Sequence, residues 1–285
     1  MTNERPPSSP LLVTTEWLAN HLEAPDIIVV DGSFYLPTMK RDARTEYLEG
    51  HIPGSIFFDI DGISDHSSSL PHMLPSPEAF SSAMRQLGIG DGMSIVVYDG
   101  LGLYGAARVW WTFKVFGVRE VLILDGGLPK WKAEGRPLEF GEVRRTPRHF
   151  TARFDRSAVA GVEDVRQALA SKSAQVVDAR AADRFTGKAP EPRPGLRCGH
   201  MPGALNLPFS RLIEDGRLVE PARIAKAFAD AGVDLDRPVI TSCGSGVTAA
   251  ILTFALEAIG RNRGRLYDGS WAEWGARQDL PVVTD

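Results

Sequence analysis

The sequence predicts an α/β protein made of two copies of one domain, each a mostly parallel sheet flanked by helices. Three observations predict it: an ordered internal repeat, short apolar runs alternating with helical stretches, and a glycine-bearing strand-to-helix turn in each copy. The repeat comes first, because self-similarity over a long period decides the architecture. Val29-Val30-Asp31 recurs as Val176-Val177-Asp178, Gly50-His51-Ile52-Pro53-Gly54 as Gly199-His200-Met201-Pro202-Gly203, and Asp125-Gly126-Gly127 as Asp268-Gly269-Ser270. The spacings are 147, 149 and 143 residues, and the order is kept. The copies are expected over residues 11–140 and 158–285, with the Arg/Pro/Thr-rich stretch from about Pro137 to Ser157 as the linker wrapping between them.

Within each copy the apolar runs are too short and continuous for half-exposed strands. Ser94–Tyr98 and Val121–Leu124 bracket a helical stretch, Gly105–Gly117; Pro238–Thr241 and Arg265–Tyr267 bracket another, Val247–Ile259. Such strands belong in a parallel sheet covered on both faces. The chain has 285 residues, is 43% hydrophobic and 24% charged, and carries a net charge of −4, so no basic footprint points to nucleic acid. No apolar run reaches the roughly 18 residues of a membrane span. Met1–Pro10 is a polar lead-in without a signal-peptide pattern, so a cytoplasmic location is the expectation. Two cysteines, Cys198 and Cys243, make neither a disulfide framework nor a metal-ligand spacing.

Cys243 stands where chemistry is expected. It follows strand Pro238–Thr241 and opens the turn Cys243-Gly244-Ser245-Gly246-Val247-Thr248, which runs straight into a helix. Ligands of open α/β sheets bind at this end of the strands. Gly244 and Gly246 let successive backbone N–H groups converge into an anion-binding nest, reinforced by the helix N-terminus. That field favours a thiolate and would hold the terminal sulfur of a persulfide. The matching turn of the first copy begins with Asp99 in place of the cysteine. A carboxylate takes no sulfur from a donor, so the first copy is expected to be catalytically silent and to supply scaffold and one wall of the cleft.

Duplicated domains with a cysteine turn only in the second resemble the tandem-domain rhodanese superfamily, the thiosulfate and mercaptopyruvate sulfurtransferases. The likeness extends from about Val13 to Val283. It implies two tandem rhodanese-like domains and sulfur transfer through a Cys243 persulfide. The turn has the form associated with the mercaptopyruvate branch; thiosulfate-using relatives carry Arg and Lys at the positions of Gly244 and Ser245. A neutral turn suits a carboxylate thiol, 3-mercaptopyruvate, over a dianion. The resemblance also implies that Arg184 and Arg193 bind the donor's carboxylate and keto oxygen, a role that suits planar guanidinium forks. It further implies that Ser245, His72 and Asp61 form a proton relay.

The acceptor is expected to be cyanide, a small thiol or thioredoxin. No metal and no organic cofactor is implied. Thiosulfate:cyanide transfer is the alternative activity, and a non-catalytic rhodanese-like binding module a more distant one. A rhodanese-fold phosphatase needs an arginine six residues beyond the cysteine, where this chain has Ala249. His51 and His200 recur in both copies and are expected to hold turns. Cys198 reads as a spare thiol, and Trp110, Trp111, Trp271 and Trp274 as packing.

Overall fold

The computed structural model describes residues 9–261 and 264–285; the lead-in up to Ser8 lies outside them. The chain forms two compact units. The first contains β1 (Leu12–Val13), β2 (Ile27–Asp31), β3 (Ile56–Phe57), β4 (Ser94–Tyr98) and β5 (Val121–Leu124), in the spatial order β1-β5-β4-β2-β3. Every pairing is parallel. Its helices are α1 (Thr15–His21), α2 (Ala43–Glu49), α3 (Pro77–Gln86), α4 (Gly105–Val115) and α5 (Gly127–Ala133). The second contains β6 (Val159–Ala160), β7 (Gln175–Asp178), β8 (Leu205–Asn206), β11 (Val239–Ser242) and β12 (Gly264–Tyr267), in the order β6-β12-β11-β7-β8, again all parallel. Its helices are α6 (Val162–Ser171), α7 (Ala182–Phe185), α8 (Pro221–Asp230), α9 (Ala249–Ala258) and α10 (Ser270–Trp274). The remaining strands, β9 (Ile213–Glu214) and β10 (Arg217–Leu218), form an antiparallel hairpin.

The apolar runs end up where parallel strands must. Ile95, Val96 and Val97 in β4, and Val239 and Ile240 in β11, are buried, because helices cover both sheet faces. The following helices are buried almost throughout: all of α4 except Lys114, and α9 from Ala249 to Leu256. α9 starts at Ala249, two residues later than the apolar pattern suggests. Val247 and Thr248 are spent on the turn, where the chain is still curling.

The stretch expected as a linker is mostly spent on the first unit. Glu139 pairs with His51 as an isolated antiparallel bridge, Asp91 bonds His149 and Thr151, and Phe150 is buried against Phe80. The units also do not follow the chain contiguously. Residues 64–75 belong to the second unit, and residues 213–221, which contain the β9–β10 hairpin, to the first. The tip of that hairpin lies on the first unit's turn: a Cβ on Gly102 would fall 2.4 Å from the Gly216 carbonyl oxygen. Arg217 donates from Nε to Asp125 Oδ2 at 2.9 Å.

The repeated histidines are structural in both copies. His51 Nδ1 lies 2.7 Å from the Tyr47 carbonyl and stacks on the Tyr47 ring; His200 Nδ1 lies 2.9 Å from the Phe185 carbonyl and stacks on the Phe185 ring. Trp110, Trp111, Trp271 and Trp274 are buried, and Trp110, Trp271 and Trp274 each donate to a backbone carbonyl.

Asp31 closes β2 and is buried, with its Oδ1 accepting the Ser33 N–H. Burial pushes its pKa up from 3.8 to about 6, against the lowering effect of the Ser33 hydrogen bonds. Between those two pH values the folded protein holds a proton that the unfolded chain has released. Stability therefore falls as pH rises through that window, on the order of 3 kcal/mol in all. Asp31→Asn, which keeps an acceptor for Ser33, is expected to flatten the pH dependence of urea unfolding between pH 4 and 6 and to stabilise the protein at pH 7. An unchanged profile would place the titration elsewhere.

Candidate active site

The same turn is built twice, and the first copy shows what it is for. From Asp99 to the start of α4 the chain takes six steps, as it does from Cys243 to the start of α9. Gly102 and Gly246 occupy equivalent left-handed positions, φ 101° and 80°, a conformation open to glycine. In the first unit the backbone N–H groups of Leu101, Tyr104 and Ala106 converge on the Asp99 carboxylate at 2.7, 2.6 and 2.8 Å. The turn is therefore an anion hole, and Asp99 is its resident anion. Burial raises the Asp99 pKa, and the Ala106, Tyr104 and Leu101 N–H groups act against that rise.

In the second unit the equivalent turn begins at Cys243, which is 1% exposed. Its backbone is held on both sides. The Cys243 N–H donates to Ser270 Oγ at 3.2 Å, and the Cys243 and Gly244 carbonyls accept from Trp271 and Ala272 at 2.9 Å each. Ser245, Gly246 and Val247 are buried, and Gly244 and Thr248 half-buried.

Arg184 sits on the short helix α7 and borders the turn: a Cβ on Gly244 would lie 3.2 Å from Arg184 Nη2. What holds Arg184 is a buried ion network. Glu191, with its side chain 1% exposed, takes Arg184 Nη2 at 2.5 Å on one oxygen and Arg180 Nη1 at 2.8 Å on the other. Arg180 also forks onto Asp178 at 2.9 and 2.7 Å, donates to the Gly199 carbonyl, and lies over the Trp271 ring. Burial opposes the Arg180 charge, but Asp178 and then Glu191 outweigh it, and its pKa is raised. His200 pins Phe185 beside Arg184 and so fixes the same helix. Sequence reasoning missed Arg180 and Glu191. Their signal was slight: an arginine two residues after the strand aspartate, and an acid between two prolines.

Arg193 is half-buried, and its Nη2 lies 3.0 Å from His72 Nε2. A guanidinium only donates, so Nε2 is the acceptor and the ring proton sits on Nδ1. His72 and Ser245 are both buried in the second unit. His72 arrives there on residues 64–75. Asp61 is exposed in a turn of the first unit, where its N–H bonds the Asp59 carboxylate. The structure thus brings Cys243, Ser245, Arg184, Arg193 and His72 into one unit, and describes Asp61 in the other. Among the described residues no cluster of metal-ligating side chains occurs, and no helix is long and apolar enough to cross a membrane.

The sequence profile of the rhodanese-like domain matches residues 14–134 and again 161–277. The chain is 47% identical to the 3-mercaptopyruvate sulfurtransferase of Escherichia coli over 276 residues, covering 96% of this chain and 98% of that one. It is 43% identical to the thiosulfate sulfurtransferase of Bos taurus over 271 residues, covering 92% and 91%. The crystal structure of SseA from Escherichia coli, a 3-mercaptopyruvate enzyme of rhodanese fold, superposes with a TM-score of 0.86 at 44% identity, covering 92% of this chain and 99% of that one. With two matched domains and relatives spanning its length, the chain belongs to the rhodanese family, as a sulfurtransferase built from two rhodanese-like domains.

Proposed function

We propose that the chain moves sulfur from 3-mercaptopyruvate to a thiophilic acceptor through a persulfide on Cys243 and releases pyruvate. The observation that carries the reading is the neutral anion hole. The turn that wraps a carboxylate at Asp99 is repeated around a buried cysteine, with no cationic side chain at Gly244 or Ser245. Overall likeness does not choose the donor, since relatives named for either donor are 43–47% identical. A thiosulfate dianion would gain from cations in the turn; a carboxylate thiol gains from arginines beside it.

In this scheme the Cys243 thiolate attacks the donor sulfur. The S–S bond forms as the S–C bond breaks, and the electron pair stays on carbon as the enolate of pyruvate. The proton carried by the donor thiol passes to that carbon, so charge and atoms balance. Ser245 and His72 are the proposed carriers, with Asp61 the relay's carboxylate. Arg184 and Arg193 hold the donor's carboxylate and keto oxygen, which requires Arg193 to share itself between donor and His72. Backbone N–H groups from Gly244 through Gly246, Val247 and Thr248 hold the outer sulfur. Cyanide, a small thiol or thioredoxin then removes it, so the kinetics are ping-pong. The first copy, with its hole filled by Asp99, takes no sulfur.

Intact mass after brief exposure to 3-mercaptopyruvate should show one added sulfur atom with stoichiometric pyruvate, and Cys243→Ser should show neither. A gain with thiosulfate alone would reassign the donor; no gain with either would leave a binding module. Arg193→Ala is expected to raise KM for 3-mercaptopyruvate about tenfold or more, while KM for a donor lacking the carboxylate changes much less. Equal effects on both donors would remove Arg193 from the carboxylate.

A further inference from the structure

Asp125 and Asp268 are equivalent residues, each standing one position past a strand, β5 or β12, and each buried. Both carboxylates reach to a segment that joins its unit from the other half of the sequence. Asp125 binds Arg217 of residues 213–221, and Asp268 Oδ2 accepts the Leu74 N–H of residues 64–75 at 2.8 Å. The second segment carries His72. It closes on itself through the Asp65 N–H and the Met73 carbonyl at 2.9 Å, and its attachment at Leu74 comes two residues after His72. His72 has φ 60°, a left-handed conformation that a side-chain-bearing residue keeps only when its surroundings enforce it.

We propose that Asp268 is a positioning residue for sulfur transfer: it latches the arm at Leu74 and so presents the His72 ring to Arg193 and the cysteine turn. The aspartate of the repeated Asp-Gly motif thereby holds an arm in both copies, and in the second the arm is functional. A carboxylate suits the task because a charged acceptor binds a backbone N–H more strongly than a neutral one. The catalytic consequence rests on the His72 relay proposed above; the latch itself does not.

Two readouts separate them. In side-chain NMR of the full chain, with the His72 signal assigned by its loss in His72→Gln, Asp268→Ala should shift or broaden that signal. Asp268→Asn, which keeps an acceptor oxygen, should leave it near its original position. An unmoved signal in Asp268→Ala overturns the latch. In single-turnover persulfide formation from 3-mercaptopyruvate, Asp268→Ala should be slowed about tenfold and Asp268→Asn largely rescued. Added to His72→Gln, Asp268→Ala should cost nothing further, because the two act as one unit. Multiplying losses would mean that Asp268 acts on the reaction by another route and would overturn the proposal. If the NMR signal moves while neither single variant slows transfer, the relay falls and the latch stands.

Discussion

A buried strand that turns within six residues into a buried helix leaves backbone N–H groups converging on a space that water cannot fill. Something negative has to sit there, because an unmet buried donor is costly. This single requirement organises both units. The first meets it with the Asp99 carboxylate, tied by three N–H groups. In the second, the same turn begins at the buried Cys243, whose sulfur takes up and gives up negative charge in the proposed reaction. The two copies thus differ at one residue of a shared turn rather than in the fold around it.

Around the second hole the protein adds charge at a distance from the sulfur. The line from Asp178 through Arg180 and Glu191 to Arg184 is almost wholly buried, and replacing either acid would leave an arginine short of a partner. The first copy has Ser33 where the second has Arg180, two residues after the strand aspartate, and its buried Asp31 carries a raised pKa. The equivalent carboxylate in the second copy, Asp178, pairs with Arg180 instead. Arg184 is held by this chain of contacts, which in the proposed reaction reduces the ordering needed when an anionic donor arrives.

The fold was legible because its signals are local. The repeat, the short apolar runs and the glycines of the two turns each constrain neighbouring residues, and β4, β5 and α4 begin where the pattern puts them. Cys243 and its turn were legible for the same reason. Arg180 and Glu191 were not, since a buried ion pair looks like two surface charges until the chain is folded. Nor were the two exchanged segments, because polar residues such as those from Ser64 to Pro75 announce a loop without saying which unit they will join. The start of α9 was misplaced because Val247 and Thr248 are apolar or neutral enough to extend a helix, and only the geometry of the turn withholds them.

The segment at residues 213–221 has a consequence for how the chain is made. Synthesis runs from the N-terminus, and domains ordinarily fold as they emerge. Here the first unit includes a hairpin drawn from the middle of the second copy, so it stays incomplete until more than two hundred residues have been released. By then most of the second unit's early strands are also out, and they in turn need residues 64–75, which were made long before. Each half must wait for, or keep open a place for, a piece of the other. Cutting the chain at its midpoint would therefore yield two fragments that each lack a part, one of them missing His72 and the other the hairpin tip at Gly216.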